Sequence, residues 1–295
     1  MHTDTRSTAS RHHSLWTRLT ANWRGALRAT EPVAIVALLT LAVAEADAAF
    51  SFSEQPGLWS EAATWMNGTV PDGHGHVFIY HSVILDIDSG PNTGALVLQN
   101  GSLSLDPGVT LTVPDFGLLV FGGTSVSGPG HIAGAPFSTL ALPGGTVTSS
   151  FDVTAIDVYS GTTGTIRQGT AINLFIESSN TLRIVQEPGQ TDGLTLDGSV
   201  YFQFDNGTAV IDLGFDSNSG MNDWAFRWKG DRESYLTGLL GTQLTFSGAS
   251  GVEIFYDASD DYTYVAAVSS TSSIPEPSAF GLIVASGLSL LRRRR

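Results

Sequence analysis

The stretches GALVLQNG (94–101), FGLLVFGG (116–123) and PFSTLALPGG (136–145) decide the fold. Laid over one another they repeat at a spacing of 22. That alignment matches Leu96 with Leu118 and Leu140, Leu98 with Val120 and Leu142, and Gly101 with Gly123 and Gly145. Pro107-Gly108 returns as Pro129-Gly130 at the same spacing. Apolar residues at alternate positions follow the two-residue side-chain period of a strand. A fixed period of this length, with glycines at the corners, suits one coil of a parallel β-solenoid, in which inward Leu and Val of each coil stack on those of the next. Asn100-Gly101 and Asn206-Gly207 supply turn residues that tolerate positive φ. An antiparallel sandwich with hairpins of similar length is the competing reading. The repeat is clearest from 77 to 150 and fades after about Ser150.

Outward from these repeats, the body from Phe50 to Ser273 is rich in Gly, Ser, Thr, Val and Leu and sustains almost no helical period. The expected class is all-β, a right-handed parallel β-solenoid or β-helix. After about Gly198 the runs SVYFQFDNGTAVIDLGF (199–215), DWAFRWKGDRESYLTGLL (223–240) and GVEIFYDASDDYTYVAAV (251–268) are longer and more aromatic. They read either as an antiparallel sheet or as larger, final coils, with DRESYLTGLL (231–240) as the one short helix. The organisation expected is a signal segment 1–48, a β-solenoid region 49–198, an aromatic β-rich region 199–268 and a C-terminal sorting segment 269–295.

Charge is unevenly distributed. Of 14 basic residues, Arg6, Arg11, Arg18, Arg24 and Arg28 precede the apolar run Val33 to Ala44, and Arg292 to Arg295 close the chain. Ala49 to Ser273 therefore holds 5 basic against 23 acidic residues, a formal −18. Nucleic acid and anionic lipid are disfavoured partners, because both require clustered cations that displace counterions. With no cysteine in the chain, disulfide staples and thiolate metal sites are excluded and stability must come from a core.

The ends dictate traffic. Basic residues, the apolar run Val33 to Ala44 and the small residues Ala46-Asp47-Ala48 form the three parts of a secretory signal helix, with cleavage expected after Ala48; a buried helix is the alternative. At the other end the apolar run Ala279 to Leu291 is 13 residues, about 20 Å as a helix against a hydrocarbon core of about 30 Å. It is expected to form a short transmembrane helix. Arginines that snorkel extend its reach and, by the positive-inside rule, hold Arg292, Arg293, Arg294 and Arg295 in the cytoplasm. Pro275-Glu276-Pro277, a short apolar helix and a terminal arginine cluster together resemble the PEP-CTERM sorting signal of Gram-negative bacteria. The resemblance covers about the last twenty residues. It implies export through the secretion machinery, recognition of the tail by an exosortase, transient anchoring in the inner membrane, removal of the helix, and release to the cell surface, outer membrane or extracellular polysaccharide matrix. A plain tail anchor is the alternative.

Ahead of the repeats, Trp59, Thr64-Trp65, Gly68 and Pro71, followed by the alternating stretches Val77-Ile79 and Val83-Leu85, resemble the opening of G8-type domains and related β-helical bacterial surface proteins. His76 stands where such sequences usually place an acidic residue. Trp59 and Trp65 either close the open end of the solenoid, covering edges that would otherwise pair with another chain, or line a sugar site through their indole faces.

Candidate chemistry is sparse. His74, His76 and His81 are weighed as a metal cluster against a solvated Gly-rich turn. In DSNSGMND (216–223) the oxygen ligands alternate, but Gly220 occupies the fifth position, so this is not an EF-hand loop. Asp216, Asn218 and Asp223 are the candidate ligands of a looser calcium site, with a polar turn as the alternative; no other cofactor is expected. Nothing selects a catalytic carboxylate pair, and no nucleophile elbow, phosphate loop, dinucleotide fingerprint or zinc-protease helix is present. The expected function is therefore non-enzymatic: an exported surface or matrix protein associated with exopolysaccharide or biofilm. The alternatives are a carbohydrate-active lyase or hydrolase on a β-helix, and a sugar-binding module.

Overall fold

The structure, a computed structural model, describes residues 50–72, 75–89, 94–115, 117–186, 190, 192–202, 209–215 and 224–268. The signal segment 1–48, the sorting segment with Pro275 to Pro277 and Arg292 to Arg295, His74, Asn206-Gly207, and the calcium candidates Asp216, Asn218 and Asp223 lie outside these residues. Among the described residues, no helix is long and apolar enough to cross a membrane.

The chain opens with β1 (Phe50–Phe52) and β2 (Gly57–Leu58), then β3 (His76–Ile79) and β4 (Ser82–Leu85). Two three-strand circuits follow: β5 (Leu96–Leu98), β6 (Ser102–Leu105) and β7 (Thr110–Val113), then β8 (Leu118–Val120), β9 (Ser125–Ser127) and β10 (His131–Gly134). Next come β11 (Thr139–Ala141), β12 (Thr146–Val147), β13 (Ser150–Val158), β14 (Thr163–Ile166), β15 (Gly169–Ile176) and β16 (Thr181–Val185). The last parallel strands are β17 (Leu194–Leu196), β18 (Val200–Phe202), β19 (Val210–Gly214), β20 (Trp224–Lys229) and, after the helix α1 (Glu233–Leu239), β21 (Leu244–Ser247). A hairpin of β22 (Val252–Asp257) and β23 (Tyr262–Ala267) closes the body.

These strands fall into three files that the chain visits in rotation, each strand pairing in parallel with its counterpart one circuit away. The first file runs β1, β3, β5, β8, β11, the second half of β13, the second half of β15, and β18. The second runs β2, β4, β6, β9, β12, β14, β16, β19 and β21. The third runs β7, β10, the first half of β13, the first half of β15, β17 and β20. Among the described residues, antiparallel pairing between strands enters at the end, where β23 lies between β20 and β22; earlier it is limited to the isolated bridges Ser53–Trp65 and Phe121–Gly144.

Sequence alternation explains the files. SLSL in β6 and TLTV in β7 bury every Leu and Val and leave Ser and Thr half-exposed, as a strand with one wet face must. Leu96, Leu118 and Leu140 are register partners across three circuits and all are fully buried. Each such burial stabilises by about 1.5–3 kcal/mol relative to an exposed side chain. The spacing of 22 is thus the length of a circuit.

The repeat fades for a structural reason. In β13 and β15 one continuous strand runs from the third file into the first, so a corner is lost and the circuit shortens. Leu140 pairs with Ile156 and Ile156 with Leu174, spacings of 16 and 18 in place of 22. The inward parity switches within each strand, between Val153 and Ile156 and between Ala171 and Leu174, where the corner would have been. Beyond β16 the circuits lengthen again and parallel pairing continues past 198 to Ser247.

The aligned corner residues do different work. Asn100 carries the positive φ, at 68°, while a Cβ on Gly145 would stand 2.2 Å from the Val120 carbonyl oxygen. The first is a conformational requirement and the second a close approach between circuits. At the start of the stack, Trp59 and Trp65 pack edge to face at 4.9 Å, and the Trp65 Nε1–H donates to the Trp59 carbonyl at 2.8 Å. They belong to the main core. Ser60, beside them, donates its amide and hydroxyl to Asp86 of the next circuit.

Candidate functional site

The circuits lengthen near the C-terminal end, and there the surface forms a depression of about 500 Å³ bounded by β18, β20 and the entry to α1. Tyr201 projects outward from β18 and is 52% exposed. Its inner face stacks on its register partner Phe175, with centroids 4.9 Å apart and planes 7° from parallel. One face of Tyr201 is therefore held by Phe175, and among the described residues no ring stacks on the other.

Opposite stand Asp231, Arg232 and Tyr235. Tyr235, 48% exposed, sits on α1 and meets Trp228 edge to face at 5.7 Å. The Arg232 guanidinium lies 5.1 Å over the Trp228 ring, a cation–π arrangement. Trp228 is itself fixed, since its Nε1–H donates to the Gly198 carbonyl at 2.7 Å. Buried Thr263 pins the turn: its hydroxyl donates to the Gly230 carbonyl and accepts the Arg232 amide, both at 2.8 Å. Asp231 Oδ1 accepts the Glu233 amide at 3.3 Å. Among the described residues neither the Asp231 carboxylate nor the Arg232 guanidinium forms an ion pair, so each keeps hydrogen-bonding capacity for a ligand.

A clasp ties the hairpin to the parallel stack. Arg227 of β20 donates from Nε to the Thr195 hydroxyl at 2.9 Å and lies 4.7 Å over Trp224 and 4.6 Å over Tyr262. The Tyr262 hydroxyl donates to Asp197 and the Tyr264 hydroxyl to Asp260. The bond to Asp197, supplemented by burial, pushes the Tyr262 phenol up to about 12.

The residues singled out from sequence are placed elsewhere. Trp59 and Trp65 are each 1% exposed, so neither indole face is open to a sugar ring. His76 accepts the Ala95 amide on Nδ1 and stacks on Phe50, and burial lowers its pKa. The His81 Nδ1 lies 3.0 Å from the Ser53 carbonyl, which assigns it as donor. Among the described residues no three His, Asp or Glu side chains converge on a metal position. One polar constellation escaped the sequence reading: His131 Nδ1 lies 3.0 Å from Ser150 Oγ, and Nε2 lies 3.3 Å from Asp152 Oδ2. It has the residue types of an acyl-transfer triad but lies on an outer sheet face, with Asp152 63% exposed, where solvent weakens the coupling. The groove residues were also missed. The signal for Tyr201 was its outward position in SVYF, and for Tyr235 its place on the polar side of the short helix.

Compared with protein-family models, with curated proteins and with solved structures, the chain matches none.

Proposed function

We propose that the chain is an exported, non-enzymatic surface or matrix protein whose body is a right-handed parallel β-solenoid and whose groove binds polysaccharide. Rotation of the chain through three parallel files supports the solenoid, and right-handed winding is the sense that parallel crossovers take almost without exception. The segment Pro275 to Arg295, by its resemblance to the PEP-CTERM signal, supports export and sorting by an exosortase to the cell surface or polysaccharide matrix.

The observation that carries the binding reading is the exposed Tyr201, held by Phe175, beside Tyr235 and beside an Asp231 and Arg232 that form no ion pair among the described residues. Rigid aromatic faces take the C–H surface of a sugar ring, and the carboxylate and guanidinium take its hydroxyls. Electrophoresis of the purified chain through native gels containing soluble polysaccharides tests it. Retardation by at least one glycan is expected, with loss in Tyr201→Ala and Tyr235→Ala while circular dichroism is unchanged. Undiminished retardation in the double variant, or release of reducing ends from the bound glycan, overturns the reading.

A further inference from the structure

The groove also specifies a class of polysaccharide, an inference that rests on the binding reading above. A pyranose stacks flat on an aromatic ring through a face of axial C–H bonds, which all-equatorial sugars present on both sides and sugars with one axial hydroxyl on one. Tyr201 offers one such platform, since Phe175 occupies its other side. A single axial hydroxyl blocks only the face from which it projects, so one platform accepts such a ring through its other face.

The polar groups read the ring edge. Asp231 is an acceptor-only group with two oxygens, suited to a pair of neighbouring equatorial hydroxyls, and Arg232 presents a planar fork of donors. The same carboxylate rejects acidic sugars. Glu233 follows immediately in the chain, and the body as a whole carries a formal −18. The single guanidinium of Arg232 is matched by Asp231 in the same groove, so the local field does not favour an anion.

We infer that the groove binds neutral glycans that offer an apolar ring face and discriminates against polyuronates.

Isothermal titration of the full chain with cellohexaose, xylohexaose, β-mannohexaose and hexagalacturonate at physiological salt decides it. Cellohexaose or xylohexaose is expected to bind at least about tenfold more tightly than hexagalacturonate. Asp231→Asn is expected to weaken the neutral ligand about tenfold, the usual consequence of losing a charge-assisted hydrogen bond, and to narrow the gap to hexagalacturonate. Tighter or equal binding of hexagalacturonate overturns the class while leaving a glycan-binding groove. Heat with none of the four, together with no retardation by any polysaccharide, removes the groove reading itself.

Discussion

Replacement of Leu103 by Ala tests the inward register of the second file. Leu103 is the register partner of Val83 on one side and Val126 on the other, and the three are 0%, 1% and 0% exposed. Removing three carbons forfeits about 0.8 kcal/mol each in transfer free energy. A cavity contribution adds to this, because both neighbours are β-branched with stiff χ1 and are fixed by strand pairing, so they cannot swing into the void. The sum is about 3–4 kcal/mol, within the range for buried Leu→Ala changes. For a body of this size that is a fall in Tm of about 6–16 °C. Ser104→Ala, one residue on and facing outward, should change stability by no more than about 0.5 kcal/mol. Urea and thermal unfolding followed by circular dichroism measure both. A cost below about 1 kcal/mol for Leu103→Ala, or equal costs for the two variants, refutes the register, since a slip of one residue exchanges inside for outside.

Gly145→Ala places a methyl group against the Val120 carbonyl 2.2 Å away; a loss of about 1–3 kcal/mol is expected, read as a lowered Tm. Tyr262 has a folded pKa of about 12 against an ordinary 10.0. Its contribution is therefore complete below pH 10 and lost as pH rises from there through 12, so Tyr262→Phe should flatten the alkaline fall in stability seen by absorbance titration and melting. Mass spectrometry of the secreted product should find Ala49 at the N-terminus and no Arg292 to Arg295, whereas a secreted chain intact at both ends would remove the sorting proposal.

The stack was legible where successive strands of the first file keep one spacing. Leu96, Leu118 and Leu140 align at 22 in the sequence and pair in the structure. The signal was lost at β13 and β15 because straightening a corner deletes residues from the period while leaving the pairing intact. The helix at 233–239 was legible from DRESYLTGLL. Trp59 and Trp65 announced themselves by size, yet their burial depends on each other and on the core around them, which the local sequence does not reveal. The groove was not legible, since Tyr201, Trp228 and Tyr235 are brought together by pairing and helix placement over 34 positions of chain.

The central position of β23 determines how the body bears load. A pull on the tail enters at Val268, whose amide is bonded to Gly251, and is directed along a strand clamped by β20 on one side and β22 on the other. Tension so applied must shear two ladders at once instead of unzipping one rung at a time. A protein tethered by this end would resist being torn open by drag at a surface, and the hairpin would serve as its mechanical lock.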